Sequence, residues 1–261
     1  MRSATATAEY LLSLRQTQRP VAELPAELRP RTLGEGYEIQ NRLVEMLLAR
    51  HGGQRIGYKI ACTSELAQKA LGVDGPFYGM LLSYSTHGSG SKLRASDFTV
   101  RCTEAEFAFE MGADVPDGRD YDAATITEFI GAALPSIEVV DHRYHNWQTV
   151  GAPSLLADNA IHGAWVPGAP YARWREIDFA RHPVSFVING SRTLTGSGAA
   201  VLGNPLNVLA GLANELQRFG GRLRCGDYVT TGVTTDIYLA RPGDRLAADF
   251  SPMGRVEMEF E

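Results

Sequence analysis

The chain has 261 residues, 44% of them hydrophobic and 21% charged, with a formal net charge of −5, so it can bury a substantial core and has the balance of an ordinary globular protein. No Lys/Arg run is present, which argues against nucleic acid and anionic membranes as partners. No stretch approaches the ~20 apolar residues of a membrane span, and Cys62, Cys102 and Cys225 are too few and too far apart for a disulfide framework or a zinc knuckle, so a reducing cytoplasm is the expected home.

The first part of the chain reads as helical. Spacing predicts helices over 5–17 and 33–50, joined by a segment punctuated by Pro20, Pro25 and Pro30 and closed by Gly52-Gly53. This gives a helical segment over 1–54 and a β-rich remainder over 55–261, expected to form one continuous domain. A strand is expected over 55–60, then a short helix capped by Thr63 and ended by Gly72. The stretch 124–133 is expected to be helical, followed by a β-branched strand around Ile137, Val139 and Val140. Asn189-Gly190 between two alternating runs signals a hairpin. Asn204-Pro205 opens a helix running to Phe219, and Pro242-Gly-Asp244 and Ser251-Pro-Met-Gly254 separate further strands. The strands do not alternate regularly with helices, so a doubly wound sheet is not expected.

The most informative residues are Glu104 and Glu106. A strand's two-residue period points both carboxylates to one face, with Phe107 and Phe109 on the other. E-x-E alone is a weak signal, for which a half-buried strand with its polar face in water is the plainer reading. Glu138, on the later β-branched run, adds a third carboxylate, and three carboxylates from two strands suit Mg²⁺ or Mn²⁺. Lys59 is conspicuous because the chain has only 3 Lys among 25 basic residues and sets this one between Tyr58 and Ile60. It could bind a substrate carboxylate, move protons with a lowered pKa, or point to solvent. Asp158-Asn159 reads first as a fastening for a loop or helix end. His142 and His145 would share a face with Glu138 on a helix and could then bind zinc, but the β-branched run favours a strand. Gly196-Ser-Gly198 is not a nucleotide-binding fingerprint. It could let backbone approach a small anion, although a simple turn into the following helix is the plainer reading.

Taken together, Ile56-Gly-Tyr-Lys-Ile60, Leu71-Gly-Val-Asp-Gly-Pro76, Glu104-Ala-Glu106, Leu134-Pro-Ser-Ile-Glu-Val-Val-Asp141, Leu156-Ala-Asp-Asn-Ala160, Leu202-Gly-Asn-Pro-Leu-Asn207 and Gly226-Asp-Tyr-Val-Thr-Thr-Gly232 resemble the 2-hydroxypentadienoate hydratase and 4-oxalocrotonate decarboxylase group of the fumarylacetoacetate hydrolase superfamily. The resemblance runs over most of the chain. It implies an α+β fold, a mixed, strongly bent β-sheet roll with an N-terminal helical part. It also implies Mg²⁺ or Mn²⁺ on Glu104, Glu106 and Glu138, a small 2-oxo acid substrate, and homo-oligomers. Lys59, Tyr78 and His142 are the expected catalytic groups, and Lys59, Phe77, Asp158, Ser197, Gly198 and Pro205 the expected substrate contacts.

Hydration of a 2-hydroxypenta-2,4-dienoate comes first, decarboxylation of a 4-oxalocrotonate second. A non-catalytic small-acid-binding relative is the reading from another class. Hydrolysis of an acylpyruvate is disfavoured because the early Glu/His pair it needs is not found. One departure bears on the choice: Phe77 and Tyr78 stand where hydratases of this group commonly carry an acid after the Gly-Val-Asp segment. His142-Arg-Tyr-His145 likewise replaces a more usual Ser-Arg pattern and leaves the distal substrate group open.

Overall fold

The computed structural model describes residues 4–261. Helices α1 (Ala4–Thr17) and α2 (Leu33–His51) form as the apolar spacing requires, and the Thr32 side chain accepts from the Glu35 N–H to start the second. Strand β1 (Arg55–Ala61) leads to α3 (Glu65–Leu71), whose cap is Ser64 rather than Thr63. Thr63 is buried and gives its carbonyl to the Leu202 N–H. Then follow β2 (Phe77–Leu82), β3 (Ser91–Leu93), β4 (Cys102–Met111) and β5 (Ile130–Val140).

The helix expected over 124–133 is not formed. A 3₁₀ turn at Thr125–Phe129 gives way directly to β5. Small residues at 131–133 suit either state, and pairing with β4 all the way from Met111 to Cys102 decides for the strand.

After β5 come α4 (Ala152–Ala157), β6 (His162–Pro167), β7 (Pro183–Ile188) and β8 (Arg192–Ser197), then α5 (Pro205–Arg218) and strands β9 (Tyr228–Val233), β10 (Tyr238–Leu239), β11 (Arg245–Asp249) and β12 (Arg255–Phe260). Asn189 and Gly190, at φ 53° and 67°, turn β7 into β8, the left-handed pair a two-residue hairpin needs.

Two mixed sheets result. The larger runs β2-β1-β9-β4-β5-β6, with β10 also on β4, and the smaller runs β3-β12-β11-β7-β8. Among the described residues, β1–β9 and β12–β3 are the parallel strand pairs. One face of the larger sheet presents Phe107 and Phe109 to Phe179, and Phe107 to Phe250. The helical segment shares this core: Leu11, Ile39 and Leu43 belong to the same buried cluster as Phe107 and Phe260. The Gln40 amide further ties α2 to the sheet by donating to the carbonyls of Tyr78 and Leu156. The opposite face of the larger sheet carries a small apolar cluster of Leu81, Ala108, Leu134 and Trp165, and beside it the acidic residues.

Candidate active site

Register places the charged groups. Glu104 lies opposite Glu138 across β4 and β5, Glu106 lies opposite Ser136, and Lys59 on β1 is aligned with Thr230 of β9, which faces Ala108 of β4. All of these side chains share one face, because pairing partners point the same way. One carboxylate oxygen from each of Glu104, Glu106 and Glu138 lies within 4.8 Å of the others. Glu106 and Glu138 are fully enclosed, while Glu104 keeps an opening to solvent. Lys59 is buried and reaches Glu138 Oε1 at 3.3 Å, while its Nζ donates to the Ala160 carbonyl at 3.1 Å. The solvent-pointing reading of this lysine is thereby removed.

Electrostatics divides the acids. Burial and the Glu138 charge push Glu104 up to about 7, and burial with both neighbouring acids pushes Glu106 well above the carboxylate range. Glu138 is also raised by burial, but Lys59 and then His162 outweigh that and hold it below its ordinary value. Burial pulls the Lys59 ammonium down, yet Glu138, Glu104 and Glu106 more than compensate, so in the metal-free protein its pKa is raised. Once both raised acids have lost their protons, as metal binding requires, three carboxylates against one ammonium would carry two negative charges in excess, the charge of one divalent cation. Glu106 Oε1 and Glu138 Oε2 are buried and receive no hydrogen bond from the protein, whereas Glu106 Oε2 accepts from the Gly232 N–H at 3.1 Å. An all-oxygen set with two free inward oxygens fits a hard cation.

Sequence reasoning missed His162. Its Nδ1 is 2.8 Å from Glu138 Oε1, and burial holds its pKa below the usual histidine value. Thr230 Oγ1 and Trp165 Nε1, on the same sheet face, are also buried and without a protein partner.

Several expected site residues fall elsewhere. Tyr78 pairs with Ile60, on the face of β1 and β2 away from Lys59, and its ring packs on Tyr37 and Tyr58 at 4.6 and 5.6 Å. It therefore does not face the carboxylates, because strand alternation puts Gly79 there instead. Phe77, at the start of β2, pairs with Ala61 and has the parity of Gly79 and Lys59; it is buried and, with Tyr78, Ile60 and Val208, borders a cleft of about 300 Å³ against α5.

Asp158 is occupied on both oxygens, by Arg15 Nε at 2.7 Å and Arg143 Nε at 2.8 Å, and Arg143 continues to Asp141 at 2.6 Å. Its substrate-binding role gives way to fastening α1 against the end of β5. His142 borders this network, where burial and the Arg143 charge lower its pKa, and its Nδ1 accepts only from the Tyr144 N–H. Neither it nor His145 joins the acidic group. Ser197 donates its N–H to Thr234, whose N–H donates to Ala105, between the two glutamates of β4. Gly198 abuts Pro205 at the start of α5, where a Cβ would lie 2.8 Å from the proline ring, so these residues form the turn bordering the site.

No family model matches the chain. It is 33% identical to 2-keto-4-pentenoate hydratase 2 of Dechloromonas aromatica (strain RCB) over 257 residues, 98% of this chain and 96% of that one. The solved structure of 4-oxalocrotonate decarboxylase from Pseudomonas putida G7, complexed with magnesium and adipate, superimposes with a TM-score of 0.91 at 27% identity, covering 99% of this chain and 97% of that one. Fumarylacetoacetate hydrolase from Exiguobacterium antarcticum shares the fold alone, with a TM-score of 0.59 at 15% identity over 80% of this chain and 76% of that one. The chain therefore belongs to the family of 2-keto-4-pentenoate hydratases and 4-oxalocrotonate decarboxylase, built on the fumarylacetoacetate hydrolase fold.

Proposed function

We propose that the protein is a divalent-metal-dependent lyase that hydrates a 2-hydroxypenta-2,4-dienoate-type acid to a 4-hydroxy-2-oxo acid. The observation that carries this reading is the convergence of Glu104, Glu106 and Glu138 with a buried, charged Lys59, in a chain a third identical to hydratases over nearly its full length. Glu104, Glu106 and Glu138 would hold Mg²⁺ or Mn²⁺, which when bound supplies Lewis-acid stabilisation of the enolate charge of a 2-oxo acid. Lys59, fixed by the Ala160 carbonyl at 3.1 Å and Glu138 Oε1 at 3.3 Å, would serve as a cation for the substrate carboxylate and as a proton donor at Nζ. The apolar floor of Leu81, Ala108, Leu134 and Trp165 receives the hydrocarbon chain and keeps bulk water from it.

A cytoplasmic homo-oligomer is part of this reading. Among the described residues no helix is long and apolar enough to cross a membrane, and all three cysteines are free thiols.

Phe77 favours a second reading, decarboxylation of a 4-oxalocrotonate-type acid. It is a buried apolar ring where an acid commonly stands in hydratases, so this position supplies no carboxylate to activate water. The test strips the protein of metal, restores Mg²⁺ or Mn²⁺, and follows dienoate disappearance against CO₂ release from 4-oxalocrotonate. Metal-dependent consumption of the dienoate without CO₂ is the expected result. CO₂ release alone selects the second reading, and no turnover of either acid discards both.

A further inference from the structure

We propose that His162 is a positioning residue that fixes the orientation of Glu138, and that a distorted stretch of backbone on either side exists to deliver it there. The inference rests on the metal-dependent reading above and adds a group outside the carboxylate set.

Along β5 and β6, Glu138 faces Trp165 and Val139 faces Ala164, so an unbroken ladder would pair Val140 with Gly163 and leave His162 on the far face. Instead Val140 pairs with His162, and Gly163 is the extra residue of a bulge. The one-residue slip turns His162 onto the face of Glu138. Only glycine fits the bulge, since a Cβ there would lie 2.8 Å from both Asp141 Cβ and the Val139 carbonyl oxygen.

Immediately upstream, Asn159, Ala160 and Ile161 all have left-handed φ, at 55°, 48° and 54°. Residues with a Cβ seldom adopt this region, a β-branched one least of all, so the turn persists because its surroundings impose it. The Asn159 amide is clamped to Met80, accepting its N–H at 2.7 Å and donating to its carbonyl at 2.9 Å, and Asp158 is held by two arginines. Gly79 permits the close approach, because a Cβ there would meet the Asn159 carbonyl oxygen at 2.5 Å.

This device fixes two contacts at once. The Ala160 carbonyl takes a hydrogen bond from Lys59, and His162 Nδ1 meets Glu138 Oε1. A carboxylate only accepts, so Nδ1 carries the proton. Oε1 then faces two donors, His162 and Lys59, while Oε2 has none from the protein and remains the ligand oxygen. His162 also spares Lys59 from being the sole counter-group of Glu138. Such outer partners of a metal ligand set its orientation and affinity.

The test compares His162→Asn, whose amide nitrogen can take the place of Nδ1, with His162→Gln, whose amide nitrogen reaches the place of Nε2. Magnesium affinity by calorimetry, kcat and KM are measured for each, with melting curves to verify folding. Asn is expected to keep most of the Mg²⁺ affinity, and Gln to lose about 10–100-fold in affinity with a fall in kcat larger than any change in KM. Equal behaviour of the two folded variants overturns the proposal. Nitrogen-15 NMR of the wild-type imidazole decides independently of any variant: a proton on Nδ1 supports it and a proton on Nε2 alone overturns it. Glu138→Gln separates the two levels of inference. Unchanged Mg²⁺ affinity in that variant sinks the metal reading itself, whereas loss there with wild-type affinity in both His162 variants sinks only the role of His162.

Discussion

Strands β4 and β5 build two opposite environments from the same residues taken alternately. On one face Ala105, Phe107, Phe109, Ile137 and Val139 are buried among apolar side chains, with Phe107 packed edge-on to Phe179 and Phe250 at 5.3 and 4.9 Å. On the other, Glu104, Glu106 and Glu138 are crowded together with oxygens that the protein leaves without partners. The first face gains free energy by excluding water from apolar surface, and the second gives some up by desolvating charge. A single strand can therefore be most stabilising and most strained at adjacent positions. Function sits on the face that opposes stability.

Glu106→Gln makes the sharpest break. A neutral amide removes the charge that a hard cation requires, so Mg²⁺ binding by calorimetry and activity should both be largely lost. The melting temperature of the metal-free protein should hold or rise, because one of the like charges is gone. Unchanged affinity would take Glu106 out of the ligand set. Its neighbour Phe107, pointing the other way, should behave in reverse. Phe107→Ala is expected to cost about 3–5 kcal/mol of stability in denaturant titrations through the cavity it leaves, with a disproportionately small effect on metal affinity in the fraction that folds. A loss below about 1 kcal/mol would show that this face is not the packed core that its geometry describes.

Lys59→Met tests the cation paired with Glu138. It should lower kcat/KM by about 10²-fold or more while leaving thermal stability near that of the wild type or slightly higher. Collapse of stability would make the lysine a structural partner of Glu138 and remove it from the substrate.

Alternation made the two faces of β4 legible in sequence, and the Asn189-Gly190 and Asn204-Pro205 signals are local enough to be read without partners. What escaped depends on distant residues. The helix expected over 124–133 yields to pairing with β4, which no local propensity encodes. Tyr78 and Phe77 stand side by side, and only the register of β2 on β1 decides which of them faces Lys59. Asp158 finds Arg15, 143 positions earlier in the chain, and so becomes a brace. His162 was hidden because strand periodicity, applied without the bulge at Gly163, assigns it to the wrong face. His-Gly within a strand is the one local hint.

The smallest expected effect is a pH dependence of the metal-free protein, and it follows from the charge excess of the acidic face. Glu104 rises from an ordinary 4.5 to about 7 on folding and Glu106 is also raised well above its ordinary value, so the folded state binds more protons than the unfolded state across this interval. Their contribution to stability is fully present below about pH 4.5 and is lost as pH climbs through about 7. Glu138 is shifted the other way, so its contribution is lost only as pH falls below the ordinary carboxylate range, outside this window. His142 and His162 are lowered on folding and so gain stability as pH rises over the same interval, which makes the Mg²⁺-loaded protein the reference. Relative to it, and with Glu104 partly open to solvent, the metal-free protein should lose on the order of 1 kcal/mol between pH 5 and 8, or about 2–4 °C in Tm. Protons and a divalent cation relieve the same repulsion, so saturating Mg²⁺ should flatten the decline and bind more tightly as pH rises. Melting curves with chelator and with Mg²⁺ at both pH values are the measurement. A metal-free Tm that rises from pH 5 to 8 in parallel with the Mg²⁺-loaded one would mean that Glu104 and Glu106 carry no excess protons in the folded state. The acidic face would then not be the strained side of the sheet.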